Sequence, residues 1–165
     1  GQVPCRGVGC HCQTAAMTLR WPDELAGLPL HPLVVHLAVV LIPLSGLGLL
    51  VMASSGARSK RYSPLIVFVA VVAAASAFVA RWSGEQLRLT QGVRSDDHFT
   101  YGAYLPWVAL ALLSLIIVLA LIDRQGGGRR NVVGTIVALL GVVVALVAIV
   151  GTVVVGHSGA QLVWG

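Results

Sequence analysis

Five histidines and three cysteines are the residues of this chain best suited to hold a cofactor. His31, His36, His98 and His157 are spread along the body, while Cys5, Cys10, His11 and Cys12 crowd into "CRGVGCHC". Neutral imidazole ligates Zn, Cu, Fe and Ni. Histidines on facing helices can also hold a b-type haem between them. His31 and His36 open the run "LHPLVVHLAVVLIPLSGLGLL", which contains no Asp, Glu, Lys or Arg. Two titratable groups at the mouth of so apolar a run need elements that place them there.

Those elements follow from composition. The 165 residues are 57% hydrophobic and only 10% charged, with a mean hydropathy of +0.89. Soluble domains carry about 25% charged residues, so a water-soluble domain is excluded. Four apolar segments stand out: Pro32 to Ala53, Pro64 to Trp82, His98 to Ile122, and Val132 to Val155. Each is near or above the ~20 residues that cross ~30 Å of hydrocarbon as a helix. Lipid demands that the backbone satisfy itself within the segment, which favours helices over the strands that Val-rich runs suggest. The expectation is an all-α polytopic membrane protein, a four-transmembrane-helix bundle spanning residues 28–165. Residues 1–27 are expected to be a disordered tail or an over-extended start, with Met17 as an alternative first residue.

Local signals set the expected helix ends. Pro32 and Pro64 suit first turns, where the missing N–H costs nothing. Ser95, Asp96 and Asp97 offer N-caps to the third helix. Pro43 and Pro106 fall inside spans and should kink them. Gly46, Gly48, Gly134, Gly141 and Gly151 should allow helices to approach closely. Trp21, Trp82, Trp107 and Trp164 read as interfacial anchors.

Charge sets the expected topology. The loops after the first and third helices hold Arg58, Lys60, Arg61, Arg124, Arg129 and Arg130 against the single acid Asp123. On the other side, Arg6, Arg20, Arg81, Arg88 and Arg94 are offset by Asp23, Glu24, Glu85, Asp96 and Asp97. Cytoplasmic loops collect Lys and Arg, so both termini are expected outside. His31, His36, His98 and His157 then share the outer face. His36 lies about 6 Å below the start of its helix and is expected to point into the bundle, with His31 at the interface. His36, His98 and His157 become candidate haem or metal ligands and His31 an accessory one. Glu85, Asp96, Asp97 and Gln161 are candidate acceptors that would orient the imidazoles. The competing reading is a hydrogen-bonded interfacial cluster that holds nothing.

The opening "LHPLVVH" and the closing "GHSGAQLVWG" resemble an uncharacterised family of bacterial four-helix membrane proteins, domain of unknown function 2231. His31, Pro32 and His36 match its HPxxVH-type start, His98 its third-helix histidine, and Gly156, His157 and Gly159 its Gly-His-x-Gly element. Leu37 and Ala38 stand where members often carry an aromatic residue and Pro. The resemblance covers about residues 28–165. It implies a multi-pass protein of the bacterial cytoplasmic membrane, and no particular activity.

Other chemistries lack their residues. Cys5-x4-Cys10-His11 is a widened form of the C-x-x-C-H haem attachment spacing, in a segment expected to be upstream sequence or a floppy tail. No P-loop, dinucleotide fingerprint or G-x-S-x-G elbow occurs, and no basic–aromatic stripe suggests nucleic acid. A non-enzymatic role is expected. Three functions remain open: a haem- or metal-binding module in electron transfer, working with the bilayer and a larger membrane or redox complex; a scaffold or accessory subunit; and a proton or ion transporter. Against the last, only Ser45, Ser76 and Ser114 interrupt the apolar cores.

Overall fold

The computed structural model of the chain describes residues 24–25, 28–91, 101–127 and 129–164, with side chains placed over 33–85, 101–127 and 129–157. Among the described residues four long helices make the fold: α1 (Leu30–Ser54), α2 (Gly56–Gln91), α3 (Leu105–Gln125) and α4 (Val132–Trp164). All four are long and apolar enough to cross a membrane. The chain is an all-α four-helix membrane bundle. Ahead of α1, β1 (Glu24–Leu25) pairs antiparallel with β2 (Leu28–Pro29), Glu24 opposite Pro29.

Successive helices run antiparallel, and each packs against the next around a ring that α4 closes on α1; α1 and α3 meet only slightly across the diagonal. The core faces follow helical spacing. In α1 the buried side chains are Ala38, Ile42, Ser45, Leu49 and Met52, three or four residues apart. α2 and α4 turn mainly alanine inward, Ala70, Ala73, Ala74 and Ala77 from α2 and Ala138, Ala145 and Ala148 from α4, while α3 adds Leu112, Ile116 and Leu119. Lipid gives helices no hydrophobic reason to associate, so close packing must supply the attraction. Small residues allow it. At Gly48 an added methyl would lie 2.9 Å from Ile66 Cγ2, and at Gly46 it would lie 3.1 Å from Ile149 Cγ1. Gly134 and Gly141 are as tightly faced, by Ile122 and Leu49. Gly151 faces open space, so its expected packing role does not hold.

Several helix ends differ from the sequence expectation. α2 begins at Gly56, one residue after Ser55, so Arg58, Lys60 and Arg61 lie on its first turns and Pro64 lies inside it. The exposed Pro64 is tolerated because the turn before it keeps helical hydrogen bonds, including Ser59 N–H to Ser55 O at 3.0 Å. Pro106 occupies the first turn of α3 rather than a kink, and the N-cap is Tyr104, whose side chain makes no capping bond. Ser95, Asp96 and Asp97 lie outside the described residues. α4 runs to Trp164, so His157 sits within the helix and not at its end. Pro43 lies inside α1 as expected. The hydroxyls of Ser45, Ser76 and Thr152 donate to carbonyls of their own helices, those of Leu41, Ala73 and Ala148, which settles each without a partner across the bundle.

Candidate functional site

The helix register brings two histidines to one level. Near mid-helix, Gly46 faces Ala145 and Ile149, and Leu49 faces Gly141. Moving about ten residues outward along this antiparallel pair reaches His36 on α1 and His157 on α4. Both side chains are exposed. His36 therefore does not point into the bundle. It stands two residues, about 200°, from the buried Ala38, which turns it away from the core. Residue count gives the height of a side chain along its helix but not the face it takes. Glu85, near the same end on α2, is also exposed.

The remaining members of the expected set lie elsewhere. His31 and Gln161 fall on α1 and α4 with side chains outside the described residues. His98, Asp96 and Asp97 lie outside the described residues altogether, as do Cys5, Cys10, His11 and Cys12. Among the described residues, no three His, Cys, Asp or Glu side chains form a group that could hold a metal ion.

The opposite end holds a polar assembly that the charge count alone did not single out. Asp123, in the last turn of α3, is fully buried. The Arg130 guanidinium donates to both of its oxygens, Nε to Oδ1 at 3.0 Å and Nη2 to Oδ2 at 2.9 Å. The same guanidinium donates to the carbonyls of Met52 and Ala53 at the end of α1. Those carbonyls lie in the last turn, where helical donors run out; that of Met52 also accepts the Ser55 N–H at 3.3 Å. One arginine thus fastens the end of α1 to the end of α3. Its position depends on the α3–α4 turn, where Gly127 adopts φ 64° and a methyl at Gly126 would lie 2.5 Å from the Arg129 carbonyl oxygen. Asn131 then starts α4, its Oδ1 accepting the Gly134 N–H at 2.8 Å. Ser59 lies beside the Asp123 carboxylate but outside hydrogen-bond geometry. Its hydroxyl and that of Ser63 are buried without a hydrogen-bond partner. An acid three residues before a run of three glycines, followed by two arginines, was the available sequence signal, and it read equally well as an ordinary charged loop.

Four apolar helices, His36 in α1 and His157 in α4 agree with a match over residues 27–165 to the family model described as "Predicted membrane protein (DUF2231)". The chain belongs to this family. No curated protein matches the chain, and no solved structure does. Membership in the DUF2231 family thus accounts for the four-span bundle and leaves the chemistry to be argued from its own residues.

Proposed function

We propose that this DUF2231 chain is a membrane-embedded module that holds a transition-metal ion at the histidine end of the bundle. The observation that carries the reading is the common level of His36 and His157 on adjacent helices. Imidazoles offered at one level by separate helices suit Zn, Cu, Ni or Fe. His31, five residues before His36, and His98, in the segment leading to α3, are proposed to complete the set. Glu85, Asp96, Asp97 and Gln161 are proposed to accept imidazole N–H groups and fix which nitrogen faces the ion. A redox-active ion would make the module an electron carrier for a larger membrane complex.

Haem is the less favoured occupant. A plate ligated from two helices needs free width between them, whereas Ile42, Leu49, Leu112, Ile116 and Leu119 fill the bundle interior and His36 faces outward. The positive-inside rule, applied to the basic helix ends, places the histidine end and both termini outside the cytoplasm.

The test is elemental analysis of the purified full chain, with a reduced-minus-oxidised absorption spectrum of the same sample. The reading expects about one metal ion per chain and its loss in His36→Ala. A metal-free and haem-free protein, prepared with metal supplied, overturns it. A second reading, a scaffold subunit, is favoured by the tight small-residue interior, and a stable partner on a cofactor-free chain would support it.

A further inference from the structure

The basic end of the bundle presents an arrangement that the metal reading does not use. The α2–α3 register is fixed at three heights. Arg81 Nη1 donates to the Ala103 carbonyl at 3.0 Å. Phe78 meets Trp107 edge-on, with ring centroids 5.8 Å apart. At the basic end Ser59 lies beside Asp123. The next residue on each helix is a cation, Lys60 on α2 and Arg124 on α3, and both are exposed. One step along a helix turns a side chain by about 100°. From the buried Ser59 and Asp123 that step leads outward, on α2 toward the side that carries Phe78 and on α3 toward the side that carries Trp107. Lys60 and Arg124 therefore flank one groove at one level.

Two like charges held across a groove repel unless an anion lies between them. Asp123, the acid of the two basic connections, does not serve, because it is fully buried and already paired with Arg130. Below the two cations the groove is walled by exposed apolar side chains, Val71 on α2 and Ile117 and Leu121 on α3. At the far end Phe78 and Trp107 close over it. A phosphate flanked by a cation on each side, above an apolar channel that runs along the helices, matches the headgroup and chain of a membrane lipid.

We propose that the α2–α3 groove binds an anionic phospholipid, its phosphate between Lys60 and Arg124 and one acyl chain along Val71, Ile117 and Leu121. Basic residues beside a membrane surface attract anionic lipid, and the groove converts that diffuse attraction into a defined position. Arg58 supplies the internal control. It carries the same charge at the same helix end but lies two residues, about 200°, from Lys60, on the other side of α2.

The test is lipid retention by the full-length protein in neutral detergent at physiological salt, titrated with phosphatidylglycerol or phosphatidylcholine and read by native mass spectrometry. The expected result is about a thirtyfold preference for phosphatidylglycerol, at about fivefold for each basic residue. K60Q/R124Q should lose most of that preference, and R58Q should keep it. The charge-conserving pair K60R/R124K, with helicity checked by circular dichroism, should also keep it. Equal retention of the two lipids overturns the proposal. So does an equal loss in R58Q, which would mean a diffuse field and no site. Displacement of the lipid by millimolar inorganic phosphate would assign the cations to a free anion and overturn the lipid assignment.

Discussion

Arg130 reaches Asp123 at 2.9 Å and, with the same guanidinium, the last carbonyls of α1. This single side chain replaces three separate caps: a counter-ion for a buried carboxylate, donors for a helix end, and a tie between two helices that otherwise barely meet. Breaking a buried pair by removing one partner leaves an uncompensated charge, at about 3–5 kcal/mol. Arg130→Ala is expected to destabilise the bundle by that amount, measured by thermal unfolding in detergent. Asp123→Asn should cost less, because an amide oxygen still accepts from the guanidinium. If Arg130→Ala unfolds like the parent, the latch contributes nothing.

Ser59 and Ser63 are fully buried, and their hydroxyls have no hydrogen-bond partner. A buried hydroxyl left unsatisfied costs about 1–3 kcal/mol. Ser63→Ala should therefore leave stability unchanged or raise it by up to about 1 kcal/mol. A clear loss of stability in the same unfolding assay would mean that the hydroxyl is satisfied by bound water.

Two glycines face different kinds of neighbour, one a side chain and one a backbone carbonyl. At Gly48 an added methyl meets Ile66 Cγ2 at 2.9 Å, whereas at Gly126 it meets the Arg129 backbone carbonyl at 2.5 Å. A second substitution can cut a side chain back, but it cannot remove a backbone carbonyl. Gly48→Ala should cost about 1–3 kcal/mol and be largely recovered by Ile66→Ala in the same chain. Gly126→Ala should cost more and resist rescue, since it displaces the turn that carries Arg130. Equal costs in a side-by-side unfolding series would show that the turn adapts.

The span count was legible because hydrocarbon thickness and backbone satisfaction act on every residue of a segment, so the signal accumulates over about twenty positions. Single positions lack that averaging. Pro64 read as a helix start, yet the helix begins at Gly56, since Arg58, Lys60 and Arg61 are good helix formers and nothing before Pro64 stops the chain. Pro106 read as a kink and is a first-turn residue. The common level of His36 and His157 follows from residue count along the two helices. The face of His36 depends on which neighbours turn inward, and Ala38 decides that only once packing is known. The Asp123–Arg130 pair was hidden for the same reason: a charge count cannot tell a solvated loop acid from one that a neighbouring turn folds over.

His36 and His157 are both exposed and neither belongs to the core. Substitutions away from buried features usually change stability by about 0.5 kcal/mol or less. His36→Ala and His157→Ala should therefore leave thermal unfolding of the metal-free chain nearly unchanged, while each removes the proposed metal from the purified protein. Added metal should raise the unfolding temperature of the parent and not of either variant, because a ligand that binds only the folded state stabilises it in proportion to its occupancy. Acidification should release the metal, since protons compete for the same imidazole nitrogens. The two properties must separate. If the metal-free variants are themselves strongly destabilised, the histidines are structural hydrogen-bonding groups; if they are stable and still carry metal, the ion is held elsewhere.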